Sequence, residues 1–127
     1  MLADSDIGAF VATADPPRAR EFYENVLGLE FVSDEPYALV FNANGTTLRV
    51  QKVGEVRVAP YTTLGWHVTN IESVIADLKD RGVEFLMFEG FGQNELGIVT
   101  FPGGAKVAWF KDPDGNTLSL DEYANAD

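Results

Sequence analysis

The chain has 127 residues, one domain's worth, and 46% of them are hydrophobic, enough for a sizeable core. It contains no cysteine, which excludes disulfides and thiolate metal sites, and no apolar run approaches the ~18 residues of a membrane span. A net charge of −11 argues against nucleic-acid binding, which needs clustered Lys and Arg, and is compatible with a cationic ligand or simply with solubility.

The opening residues, MLADSDIGAF, have no basic segment ahead of an apolar stretch, so no signal peptide is expected and a soluble, cytoplasmic protein is the expectation. Ile7 to Thr13 reads as an apolar strand. Asp15 stands where an N-cap belongs and Pro16 suits a first helical turn. Ala19, Phe22, Tyr23, Val26 and Leu27 then recur at helical spacing, predicting a helix over 16–27 that Gly28 stops. Strands follow at Leu29 to Val32, Ala38 to Asn42 and Thr46 to Lys52, the last two joined by an Asn44-Gly45 hairpin turn. Asn44-Gly45-Thr46 also matches a glycosylation sequon, which without export reads as a turn.

Val53 to Pro60 is a linker, and then the order recurs. Leu64 to Val68 is a strand, Thr69 and Glu72 suit a capping box, and Ile71, Val74, Ile75 and Leu78 stripe a helix over 70–81 that Gly82 stops. Val83 to Leu86, Ile98 to Phe101, Lys106 to Phe110 and Asn116 to Leu120 read as strands. Phe88 to Gly97 is a glycine-rich loop. Its Gly90-Phe91-Gly92 looks like the start of a dinucleotide loop, but the third glycine and the following helix are missing. A flexible lid is the better reading. Asp112-Pro113-Asp114-Gly115 makes the last turn.

The halves repeat each other. LGLEFV at Leu27 to Val32 matches RGVEFL at Arg81 to Leu86, Asp15 matches Asn70, and Asn44 to Val50 matches Asp114 to Leu120. The repeat is a βαβββ unit. Alternation along the strands puts Leu48, Val50, Leu118, Leu120, Leu64, Trp66 and Val68 against the helices. It leaves Thr47, Arg49, Gln51, Thr117, Ser119, Asp121, Thr63, Gly65 and His67 on the opposite faces. Those polar rows are either an ordinary solvated surface or the concave side of a sheet that holds a ligand.

Asp15 through Phe22-Tyr23 to Leu27-Gly28-Leu29, Asp77-Leu78 through Gly82-Val83-Glu84-Phe85, and above all Ala108 to Asn116 (AWFKDPDGN) resemble the vicinal oxygen chelate superfamily of glyoxalases, bleomycin-resistance proteins and dioxygenases. The resemblance spans nearly the whole chain. It implies an α+β fold in which two βαβββ modules, at about 5–53 and 61–123 with a linker at 54–60, form an open, cup-shaped mixed β-barrel flanked by helices, commonly as a homodimer. Metal-dependent members take ligands, mostly His, Glu or Gln, from the first and last strands of each module. Here those positions fall on Gly8, Arg49, Thr63 and Ser119. Glycine has no side chain, a neutral hydroxyl is a poor ligand for a transition metal, and arginine is a fixed cation. The chain therefore departs from the metalloenzyme pattern at every position, and no metal or other cofactor is expected. His67, Gln51 and Asp121 offer only one imidazole, one amide and one carboxylate as a substitute set.

Other residues carry weaker signals. His67 is either a structural histidine or a general base. Arg49 either pairs with an acid, Asp121 being a nearby choice, or contacts an anionic or carbonyl group of a ligand. Phe10, Phe88, Phe91 and Trp109 are candidates for an apolar wall, although an aromatic like Trp109 is more often core. No nucleophile stands out. Three functions compete: a metal-free small-molecule binding or sequestering protein, an enzyme of lyase, isomerase or dioxygenase type using an unusual metal site or His67, and a structural or partner-binding domain. The first is favoured, with an organic ligand bound in the cup.

Overall fold

The structure, a computed structural model, describes residues 1–124. The chain divides into two compact units, Met1–Val58 with Asp112–Asn116, and Ala59–Lys111 with the chain from Thr117 onward. Each holds one four-stranded mixed sheet with a helix, and in both the strands, numbered along the chain within the unit, lie in the order first, fourth, third, second. The fold class is α+β, built from two βαβββ modules, as the repeat predicts.

In the first unit β1 (Gly8–Thr13) runs parallel to β4 (Thr46–Lys52), while β3 (Ala38–Ala43) pairs antiparallel with both β4 and β2 (Glu30–Glu35). Asn44 and Gly45 both have positive φ, 51° and 93°, as a tight hairpin demands. Asn42 Oδ1 accepts from Gly45 N at 2.8 Å and fixes the turn. The helix begins as expected: Asp15 caps it, accepting from Arg18 N at 3.3 Å, and Pro16 opens α1 (Pro16–Arg20). From Glu21 to Val26 it widens to π geometry, with Leu27 N bonding Phe22 O at 2.9 Å. Gly28, at φ 77°, ends it. The alternation of β4 sends Leu48 and Val50 into a core with Tyr23, Leu39 and Phe41, all within 1% of full burial. Each such aliphatic side chain contributes roughly 1.5–3 kcal/mol by leaving water.

A polar knot ties this unit together. Asp112, from the Asp112–Asn116 turn, is buried. Its Oδ2 accepts from Tyr23 Oη at 2.7 Å and Asn116 Nδ2 at 2.8 Å, and its Oδ1 from the backbone N–H of Asp114 and Asn116 at 3.0 and 2.9 Å. Asn116 Nδ2 also donates to Ala12 O at 2.9 Å, and Ala14 N to Asp114 Oδ1 at 2.9 Å, so the turn is bonded to the end of β1 and the start of the connection to the helix.

In the second unit β5 (Leu64–His67) runs parallel to β8 (Thr117–Glu122), and β7 (Lys106–Lys111) pairs antiparallel with β8 and with the short β6 (Val99–Thr100). Helix α2 (Ile71–Asp80) packs Ile71, Ile75 and Leu78 into a core with Ala108, Phe110, Leu118 and Leu120. Two expectations are corrected here. The Thr69/Glu72 capping box is not the cap: Asn70 Oδ1 accepts from Ser73 N at 3.2 Å, and Glu122 Oε1 takes the Ile71 N–H at 2.9 Å. Val83 to Leu86 is not a strand. It makes one bridge, Phe85 to Phe110, and one further bond, Leu86 N to Trp109 O at 2.8 Å. No helix is long and apolar enough to cross a membrane among the described residues.

Candidate functional site

Burial follows the predicted alternation. On β8, Leu118 and Leu120 are buried on the helix side, so Thr117, Ser119 and Asp121 share the other face. Register then lays out rows on that open face. Gly65, Ser119 and Trp109 form one row, and His67, Asp121 and Val107 the next. Thr63 precedes the first strand, its N–H and Oγ1 both donating to Thr117 O at 2.9 and 3.2 Å. Ser119 departs from the expected exposure, being buried between its neighbours. A Cβ at Gly65 would come within 2.5 Å of its Oγ, so a larger residue there would require the Ser119 hydroxyl to turn away.

Three aromatics gather beside this row. Phe88 and Phe91 both meet Trp109 edge-on, at ring-centroid distances of 5.6 and 5.7 Å, and lie 5.6 Å from each other. Trp109 Nε1 donates to Thr62 Oγ1 at 3.1 Å. The loop carrying the two phenylalanines is cross-braced rather than a bare glycine-rich lid. Gln93 Oε1 accepts from Phe88 N at 2.6 Å, and its Nε2 donates to Leu86 O and Gly97 O at 2.9 and 2.8 Å. Asn94 Oδ1 accepts from Leu96 N and Ile98 N at 3.0 and 2.9 Å. In the next row His67 Nδ1 is 2.9 Å from Asp121 Oδ1, and the Tyr123 ring stacks on the imidazole at 4.4 Å.

The first unit's open face has rows Gly8–Thr47–Asn42, Phe10–Arg49–Val40 and Ala12–Gln51–Ala38. Phe10 is half exposed beside Arg49. The Arg49 guanidinium does not pair with Asp121. It bonds Glu35 Oε1 at 3.1 Å, while Asp121 is engaged by His67. Both partners of the Arg49–Glu35 pair are more than a third exposed, so the pair contributes at most about 1 kcal/mol, and breaking it to meet a ligand is cheap.

The structure thus brings together Phe88, Phe91 and Trp109, and His67 with Asp121, alongside Thr63 and Ser119. Phe10, Arg49 and Gln51 form a separate set on the first sheet. Sequence reasoning missed Tyr123, Thr62, Gln93 and Glu35. Tyr123 was within reach, because continuing the β8 alternation two residues past Asp121 lands on it.

These two duplicated sheets, each with a helix on one face and small or polar residues on the other, define a paired-βαβββ protein. The family model of the glyoxalase/bleomycin resistance protein/dioxygenase superfamily matches residues 7–120, and the chain belongs to that superfamily. Among curated proteins none matches. Among solved structures the chain is similar to a superfamily member from Sphaerobacter thermophilus DSM 20745, with TM-score 0.73 and 25% identity over 96% of this chain and 99% of that one. It is similar to a glyoxalase/bleomycin resistance protein/dioxygenase from Alicyclobacillus acidocaldarius, with TM-score 0.72 and 19% identity over 96% and 93%. A lactoylglutathione lyase from Agrobacterium tumefaciens gives TM-score 0.72 and 17% identity over 93% of each chain.

The four residues at which the sequence resemblance expects metal ligands have chemistry that does not fit a metal. Gly8 offers no donor, Arg49 is a cation paired with Glu35, the Thr63 hydroxyl is donated to a backbone carbonyl, and Ser119 is a neutral hydroxyl packed against Gly65. Among the described residues no three His, Cys, Asp or Glu side chains stand close enough to hold an ion.

Proposed function

We propose that the protein binds or sequesters a small organic molecule without a metal, in the manner of the bleomycin-resistance members of its superfamily, as a cytoplasmic homodimer. One feature carries the reading: the four positions at which the resemblance expects metal ligands carry Gly8, Arg49, Thr63 and Ser119, none of which suits a metal, in a chain that belongs to the superfamily. The open face of the second sheet supplies what a small-molecule site needs, an apolar wall of Phe88, Phe91 and Trp109 with a few polar groups beside it. The acidity of the chain favours a cationic or neutral ligand over an anionic one. On the first sheet, Arg49 with Phe10 beside it in register offers a polar anchor of its own.

A thermal-shift screen of small aromatic and cationic compounds, followed by titration of each hit, tests this. Trp109→Ala is expected to weaken a hit by roughly tenfold or more, as loss of a buried aromatic contact does. Arg49→Ala weakens those hits that carry a carbonyl or anionic group and leaves the melting temperature nearly unchanged. Nickel, zinc, manganese and a chelator leave affinity as it was. A divalent ion that binds at micromolar concentration and switches on turnover overturns the reading in favour of a metalloenzyme. A single monomeric species in sedimentation at tens of micromolar removes the homodimer.

A further inference from the structure

The tightest turn of the first sheet holds a chemically reactive pair. Asn44 and Gly45 are the two central residues of the β3–β4 hairpin, closed by the Ala43–Thr46 pair, and both are exposed. The amide carbon of an asparagine side chain is an electrophile. The backbone nitrogen of the next residue can attack it and close a five-membered imide. A Cβ on that next residue crowds the approach, and glycine has none. Glycine follows Asn44, whereas every other asparagine of the chain precedes a residue with a side chain. In the other copy of the repeat the corresponding Asp114-Gly115 pair is tied down, because Asp114 Oδ1 accepts from Ala14 N at 2.9 Å.

What restrains the reaction is the proton on the attacking nitrogen. That nitrogen becomes a nucleophile only when its N–H is lost to base, and here the N–H is engaged: Gly45 N donates to Asn42 Oδ1 at 2.8 Å. The Asn42 amide is oriented in turn. It sits opposite Glu30 in the β2–β3 register, and its Nδ2 donates to Glu30 Oε1 at 2.8 Å. A carboxylate only accepts, so Glu30 draws the amide NH2 toward itself and leaves Oδ1 to face the Gly45 N–H. Removing that proton in the closed turn would break the bond and set an amide anion against a carbonyl oxygen. The positive φ of both turn residues is held by the same hairpin. Attack therefore waits for a local opening of the turn.

We propose that Asn44 is a site of spontaneous deamidation, and that Asn42, oriented by Glu30, guards it while the hairpin is closed. In the open turn, water or buffer base takes the Gly45 N–H proton and an N–Cγ bond forms. The Cγ–Nδ2 bond then breaks, and ammonia leaves with a proton. Water opens the imide at either carbonyl, giving aspartate or isoaspartate. One water is consumed and one ammonia is released, and no oxidant or reductant takes part. Either product adds a negative charge to the turn. Isoaspartate also routes the backbone through the side-chain carbon, which lengthens the turn that sets the β3–β4 register. That register places Arg49 between Phe10 and Val40, so the modification bears on the open face of the first sheet.

Incubating the whole protein at mildly alkaline pH, with peptide mass spectrometry at intervals, tests this. Deamidation exchanges an NH2 for an OH, which the mass reports and fragmentation assigns to a residue. Conversion at Asn44 should be slow in the native protein and fastest in urea. Asn42→Ala should speed it by roughly two- to tenfold, the change in turn opening that follows from losing one hydrogen bond. Hydrogen exchange of the Gly45 amide should speed up by the same factor, because both processes need the open turn. The melting temperature of Asn42→Ala separates a lost guard from a lost fold. In the unaltered protein the Gly45 N–H should be protected from exchange, and an unprotected amide overturns the guard whatever the variant does. Equal rates in the unaltered protein and Asn42→Ala, or in native protein and urea, also overturn it. No conversion at Asn44 in urea overturns the site itself.

Discussion

Tyr23 shows how much one side chain can couple. Its ring is fully buried against Phe41, and its hydroxyl donates to Asp112 at 2.7 Å. Burial, reinforced by the Asp112 carboxylate, pushes its ionisation far above the ordinary tyrosine range. In the unfolded chain the phenol ionises near its usual value of about 10. Below that pH folded and unfolded states both keep the proton, and the effect on stability is constant. Above it the unfolded chain releases a proton that the folded one retains, so stability falls by up to about 1.4 kcal/mol per pH unit. Tyr23→Phe should cost about 1–3 kcal/mol at neutral pH, because Asp112 loses a buried partner. It should also flatten the alkaline fall, so that the two curves converge above about pH 10. Urea unfolding of both proteins across that range measures it, and parallel curves would show that Tyr23 is not the group responsible.

At the scale of elements, what was legible depended on distance along the chain. The β4 alternation placed Leu48 and Val50 inside and Arg49 outside, and Asn44-Gly45 announced its hairpin, because both signals are local. The partner of Arg49 was not legible. Strand β2 continues through Ser33, Asp34 and Glu35 past a bulge, and a charged edge strand does not look like a strand in a propensity reading. His67 and Asp121 were each picked out, but their pairing spans 54 residues and follows from register that no single stretch encodes. Val83 to Leu86 misled in the other direction. Its apolar residues pack, with Val83 buried and Phe85 against Phe110 at 5.3 Å, without joining the sheet. The helix start offers a clean test. The repeat equates Asn70 with Asp15, both of which cap, whereas the capping-box pattern points to Thr69. Asn70→Ala should destabilise by about 1 kcal/mol, as loss of a cap does, and Thr69→Ala by much less. Equal costs in denaturant melts would return the cap to Thr69.

For the molecule as a whole, the deciding quantity is the charge of −11. Two electrostatic effects oppose each other when salt is added. The ion pairs, such as Arg20–Glu24 at 3.0 Å and Arg81–Asp77 at 3.5 Å, join exposed side chains, and weakening them destabilises the fold. Such pairs contribute about 0–1 kcal/mol each at best, and their partners are in contact, well inside the screening length of about 10 Å at 0.1 M salt. Repulsion among the excess carboxylates acts over longer separations. It is nearly unscreened at 0.01 M, where the length is about 30 Å, and largely suppressed above 0.1 M. Salt therefore removes more of the repulsion than of the pairing, and the compact state gains. The melting temperature is expected to rise by a few degrees, on the order of 1 kcal/mol, between 0.01 and 0.3 M sodium chloride at pH 7. Most of the rise should come below about 0.1 M, as screening requires, whereas salting-out would grow steadily with concentration. A flat or falling melting temperature across that range would mean that the exposed ion pairs outweigh the net charge.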